Sequence, residues 1–300
     1  MRLRSYLLLW VPLSLVSGEI AARFYLGLGT PPLFITHPKN EYLYRPNQDV
    51  LRFGTRQIYN EYSMRNFSIT TFRGRKVVMV FGDSVLNGGA LTDHSELATT
   101  LLTDDRHIFV NISAGSWGPQ NIGAYWAEFR DRLPYKNAIL VLNSHDYSDL
   151  PTFAPLNPET HPTKNPTSAF VEGISIYLPR YLPWKSGKGG EYTEPTAPSN
   201  RERIKGEEAL KNMLAGFRGD GVSLCVVRHY TQQEMKSGPE FGDAPIKAIL
   251  EHEKIKFVDM RAIYPQGQDK AFFFRDNIHL NQEGQKILAR AMAQCTYPSV

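Results

Sequence analysis

The stretch Lys76-Val-Val-Met-Val-Phe-Gly-Asp-Ser-Val-Leu-Asn-Gly-Gly89 decides the fold. After Lys76 its first residues are apolar without polar alternation. Such a run reads as a strand buried on both faces, as in a parallel sheet. Gly82-Asp83-Ser84 then reads as a tight turn that displays one serine. Taken alone, that serine has two readings: a nucleophile, or the hydroxyl that caps the next helix.

Four further apolar runs follow the same pattern, at 107–111, 138–142, 222–227 and 255–258. Between them lie helical patterns. Asp93 and Glu96 suit a capped helix through Leu102. Pro119 suits the first turn of a helix carrying Ile122, Tyr125, Trp126, Phe129 and Leu133 on its core face. Residues 207–217 and 244–253 fit two more, and Asn281 caps a last helix to about Ala293. Strands alternating with helices predict the α/β class: a doubly wound, flavodoxin-like, five-stranded parallel sheet in three α/β/α layers over 76–300.

The composition is that of a globular chain. Of 300 residues, 42% are hydrophobic and 21% charged, enough for a sizeable core. The net charge of +4 comes without a Lys/Arg run, so no nucleic-acid footprint is expected. No Cys/His spacing resembles a zinc site, and neither metal nor cofactor is implied. Cys225 reads as a small core residue, and its pairing with Cys295 is left open by the sequence.

Residues 1–30 begin Met1-Arg-Leu-Arg4 and continue with an apolar stretch that Glu19 and Arg23 interrupt. They are expected to form a signal anchor with its basic end inside, placing the rest outside the cytoplasm. A cleaved signal peptide and an amphipathic helix packed on the domain are the alternatives. Residues 31–75 read as a lead-in of short strands or hairpins. Residues 147–205 are a Pro- and aromatic-rich insertion, longer than a usual crossover.

The polar residues at the strand ends carry the chemistry, because ligands of open α/β sheets bind there. Ser84 follows the first strand, Gly115, Ser116 and Gly118 the second, and Asn143, His145 and Asp146 the third. Asp276 and His279 follow the fifth. A serine hydroxyl needs a base. His279 supplies one, and Asp276, three residues earlier, can accept its ring N–H and fix the tautomer.

Together these blocks resemble the SGNH, or GDSL-type, hydrolase superfamily. Gly82-Asp83-Ser84 matches its first block, and Asp276-Asn-Ile-His279-Leu-Asn-Gln-Glu-Gly284 its last. The resemblance spreads over 76–294. The Ser-Trp-Gly-Pro and Ser-His-Asp elements look like a membrane-anchored bacterial envelope branch. The resemblance implies a Ser84–His279–Asp276 triad and an oxyanion hole made by the Ser84 amide, an amide near Gly115–Ser116, and a third donor. The family's third block, Gly-x-Asn-Asp, aligns with Asn143-Ser-His-Asp146, so His145 stands at the Asn position, with Asn143 as the other candidate donor. The family's second-block glycine coincides with Ser116. The implied activity is hydrolysis of an ester, a small acyl ester or an acetyl group on an envelope carbohydrate. Phe153, Tyr177, Tyr181 and Trp184 of the insertion are candidate sugar-stacking residues. An O-acyltransferase on exopolysaccharide, working with envelope polysaccharide machinery, shares the same acyl-enzyme. A weakly catalytic polysaccharide-binding scaffold is the reading from another class.

Overall fold

The computed structural model describes residues 2–178 and 198–296, with side chains throughout except at residues 2–9 and 11. The chain opens with helix α1 (Arg2–Phe24). Glu19 on its last turns accepts hydrogen bonds from the Ser168 hydroxyl (2.7 Å) and from the Ala169 and Phe170 amides (3.1 and 2.9 Å), and pairs with Arg23 at 2.5 Å. These bonds hold the carboxyl at about 2. The two charges that interrupt the apolar run are thus tied to each other, and Glu19 is tied to the domain. Ala22 packs with Leu28 and Ala169. Among the described residues, no helix is long and apolar enough to cross a membrane. The expected anchor is therefore unsupported, and the end of α1 packs on the domain.

Two antiparallel hairpins form the lead-in: β1 (Phe34–His37) with β2 (Glu41–Tyr44), and β3 (Gln48–Arg52) with β4 (Thr55–Tyr59). Their aromatic rings face inward, with Tyr44 and Tyr59 stacked at 3.9 Å.

The central sheet holds β5 (Lys76–Gly82), β6 (His107–Ser113), β7 (Asn137–Leu142), β8 (Ser223–Arg228) and β9 (Lys256–Asp259), all parallel, in the order β6-β5-β7-β8-β9. Side chains alternate across β5. Val77, Met79 and Phe81 join one core, Val78 and Val80 the other. Both faces are covered, which is why the run lacks polar alternation. The order reverses between β5 and β7, so the carboxyl ends of these two strands open the crevice where ligands of such sheets bind.

The helices are α2 (Ser84–Asn87), α3 (Ala98–Leu102), α4 (Pro119–Phe129), α5 (Ala169–Glu172), α6 (Asn200–Gly219), α7 (Gln232–Ser237), α8 (Asp243–His252) and α9 (Gln282–Thr296). Three departures from the sequence expectation have local causes. The helix expected from Asp93 splits into a 3₁₀ turn, His94–Glu96, capped by Asp93, and then α3. Helix α6 starts earlier than expected, at a Ser199/Glu202 capping box. Helix α7 is an additional element, capped by Thr231 and Glu234. Cys225 of β8 and Cys295 of α9 form a disulfide, with Cα atoms 5.7 Å apart.

Candidate active site

Ser84 begins α2 directly after β5. Asp83 caps this one-turn helix by accepting the Val85 amide at 2.9 Å. The cap is therefore the aspartate, and the Ser84 hydroxyl is released from that duty. It lies 2.9 Å from His279 Nε2. His279 Nδ1 lies 2.7 Å from Asp276 Oδ2. The second carboxylate oxygen, Oδ1, accepts the Ile278 and His279 amides at 2.9 and 2.7 Å. Burial alone would raise the Asp276 carboxyl. The hydrogen bonds from the His279 ring and from the two amides overcome that and hold it at about 2. An ionised Asp276 requires the proton on Nδ1, which leaves the Nε2 lone pair facing the serine.

Two arginines, the half-buried Arg275 and the buried Arg65, fix this geometry. Arg275 donates to the Gly88 carbonyl (3.2 Å), the Thr92 hydroxyl (2.6 Å) and the Leu280 carbonyl (2.8 Å). It thereby joins the histidine loop to the end of α2. Arg65 donates to the carbonyls of Asn87, Gly89 and Thr92. Gly88 ends α2 at φ +75°, a left-handed turn that suits glycine.

A third clamp comes from the end of β8. His229 Nε2 lies 2.9 Å from the Ile278 carbonyl. Gln232 donates through its side chain to the Asp276 carbonyl (2.6 Å) and through its amide to the Asn277 carbonyl (2.7 Å). His229 is fully buried, and burial pushes its ring down to about 4, so it stays neutral as a donor from Nε2.

The expected oxyanion residues divide. Ser84's amide lies in the first turn of α2, where amides lack helical partners. Ser116 is exposed at φ +50°. The Gly115 carbonyl accepts the Tyr42 hydroxyl from β2. A trans peptide sets its carbonyl and amide on opposite sides, so this bond turns the Ser116 N–H away from Tyr42. Asn143 and His145 have other partners. Asn143 donates from its side-chain amide to Asp83 Oδ2 at 3.0 Å and accepts the His145 amide at 2.9 Å. His145 Nε2 lies 2.9 Å from Glu240, which also accepts the Thr231 hydroxyl at 3.2 Å.

Asp83 and Asp146, bridged by Asn143, are raised chiefly by burial, and Asp149 is pushed up to about 7 for the same reason. Gly118 permits the close approach of this segment, since a Cβ there would lie 2.2 Å from the Asp149 carbonyl oxygen. Among the described residues no cluster of His, Cys, Asp and Glu could hold a metal ion.

The described candidates of the insertion have partners of their own. Phe153 is half exposed at φ +55°, with its amide bonded to Glu41 at 2.9 Å. Tyr177 packs on Phe53 and bonds Arg52. Tyr181 and Trp184 lie outside the described residues. The sequence assigns no role to Asp83, which it names only as part of the first block, nor to Arg65, Arg275, His229 and Tyr42. Only Asp83 had a local signal, as an acidic residue at a helix start.

No protein-family model matches the chain, and no curated protein matches it. Among solved structures, a catalytic mutant of an acetylxylan esterase from Geobacillus stearothermophilus is similar, at 14% identity and a TM-score of 0.47, over 73% of this chain and 93% of that one. An alpha/beta hydrolase enzyme from the metagenome of Lake Arreo is similar at 15% identity and 0.47, over 74% and 94%. A member of the lipolytic protein G-D-S-L family from Veillonella parvula is similar at 11% identity and 0.42, over 73% and 96%. At TM-scores below 0.5 these likenesses carry no part of the reading, which stands on the geometry of Ser84, His279 and Asp276.

Proposed function

We propose that this chain is a serine ester hydrolase that acts outside the cytoplasm on an acyl group, such as acetyl, borne by an envelope carbohydrate. The observation that carries the chemistry is the continuous chain Ser84 Oγ–His279 Nε2 (2.9 Å) and His279 Nδ1–Asp276 Oδ2 (2.7 Å). Ser84 Oγ attacks the ester carbonyl, and its proton passes to His279 Nε2. The alcohol then leaves with that proton. Water attacks the acyl-enzyme, gives its proton to His279, and releases the acid as Ser84 is restored. Asp276 stays ionised throughout and stabilises the imidazolium. The Ser84 and Ser116 amides are the candidate oxyanion donors, each worth about 10²–10³ in rate.

The disulfide supports an oxidising compartment. The carbohydrate rests on the motif resemblance. Acetate release from O-acetylated oligosaccharides tests the proposal: the wild type releases it and Ser84→Ala does not. Equal release by both proteins would overturn it.

A further inference from the structure

The lead-in and the insertion line a cavity of about 600 Å³ that is open to solvent on one side. This lies within the range of small-molecule sites, about 300–1,000 Å³. Phe34 and Tyr44 form part of one wall, with their rings 4.4 Å apart. Tyr177 and the 158–166 segment form another, and five prolines line the space. Aromatic and proline rings offer flat apolar faces without hydrogen-bond donors of their own, apart from the tyrosine hydroxyls.

One donor is left over. Gln57 lines the cavity and is 1% exposed. Its Oε1 accepts the Tyr59 hydroxyl at 3.4 Å, but its Nε2 has no hydrogen-bond partner. A buried, unpaired amide is destabilising, and a leucine at this inward position of β4 would avoid the cost. A ligand hydroxyl or ring oxygen would complete it.

The charged lining is balanced and gives no pull toward an anion. Arg52 lines the cavity, but its guanidinium is committed to Glu172, the Tyr177 hydroxyl (2.8 Å) and the Gly27 carbonyl (3.2 Å). The other charged lining residues, Glu159 and Lys164, are opposite in sign.

Tyr44 ties one wall of the cavity to the catalytic helix. Tyr44 donates to Asn87 Oδ1 at 3.4 Å, and Asn87 is three residues past Ser84. At 1.5 Å rise per residue the two ends of α2 lie about 5 Å apart.

From these observations we infer that the cavity is a second binding site, holding a neutral sugar unit of the glycan whose ester faces Ser84. The apolar ring faces pack on the prolines, over a wall that the Phe34–Tyr44–Tyr59 ring stack holds rigid, and a sugar oxygen accepts from Gln57. The choice of a sugar rests on the proposed hydrolase activity, whereas the cavity and the unpaired amide do not.

Calorimetric titration of the full chain with cellotetraose, xylotetraose, mannotetraose and tetragalacturonate tests it. At least one neutral tetraose should bind. Gln57→Leu should weaken that binding tenfold or more while melting no lower than wild type. Thr163→Trp, an exposed lining position, should block it sterically. Absence of binding by every neutral tetraose, preference for the galacturonate, or unchanged affinity in both variants would overturn the inference. Repeating the titration on Ser84→Ala gives the same answer whether or not the chain cleaves esters, so the site and the activity fail separately.

Discussion

His229 donates its Nε2–H to the carbonyl of Ile278 at 2.9 Å, one peptide before His279. A buried side chain of β8's end thus sets the position of the proposed base. His229→Phe keeps a ring against Phe274, whose centroid lies 5.8 Å away, but loses the bond. We expect kcat to fall about tenfold, the equivalent of roughly 1.4 kcal/mol, with KM unchanged. His229→Gln can donate to the same carbonyl and should recover most of the loss. Steady-state kinetics on an activated acetyl ester check this. Equal losses in both variants would reduce His229 to a packing residue.

The same histidine makes stability depend on pH. Burial lowers its ring from 6.5 to about 4. The folded ring is neutral where the unfolded ring takes a proton, so its contribution is full above pH 6.5 and is lost as pH falls toward 4. The size is roughly 3 kcal/mol. Asp149 works the other way: burial raises it from 3.8 to about 7, so its contribution fades as pH rises through that window. Denaturant titrations of wild type and His229→Gln at pH 7 and pH 4 isolate the histidine. The wild type should lose about 3 kcal/mol more than the variant.

Tyr42→Phe removes the hydroxyl that holds the Gly115 carbonyl. The Ser116 amide would then lose its fixed direction. We expect kcat to drop by roughly 10²-fold with little change in fold, the cost of one oxyanion donor. Full activity in Tyr42→Phe would remove Ser116 from the hole.

Cys225 and Cys295 close a loop with a sequence separation of 70. Chain entropy assigns such a closure about 4 kcal/mol. The double change Cys225→Ala/Cys295→Ala should lose about that much in denaturant unfolding, and a reducing agent should do the same to the wild type. No shift in either experiment would show that the pair contributes nothing.

The five central strands were legible because each is buried on both faces, which leaves an unbroken apolar run such as Val77–Phe81. The meeting of Ser84 with His279 and Asp276 was legible only through their positions at strand ends and the motif resemblance. The supports were hidden for a physical reason. Arg65 and Arg275 bond backbone carbonyls, and His229 bonds a peptide 49 residues away, so no local pattern marks them. His145 has a partner that was hidden in the same way. Its register suggests an oxyanion donor, yet its Nε2 pairs with Glu240, whose place beside it depends on the β8–α8 connection. The N-terminal segment read as an anchor from its hydropathy. The bonds from Glu19 to α5 are tertiary, and the sequence alone gives no sign of them.

The most direct measurement is covalent labelling of the folded chain with a fluorophosphonate, followed by intact-mass analysis and peptide mapping. The wild type should gain a single adduct on Ser84, fast at pH 7, with labelling abolished in Ser84→Ala and strongly slowed in His279→Ala. A folded wild-type chain that takes up no adduct, or an adduct that persists in Ser84→Ala, would contradict Ser84 as the nucleophile.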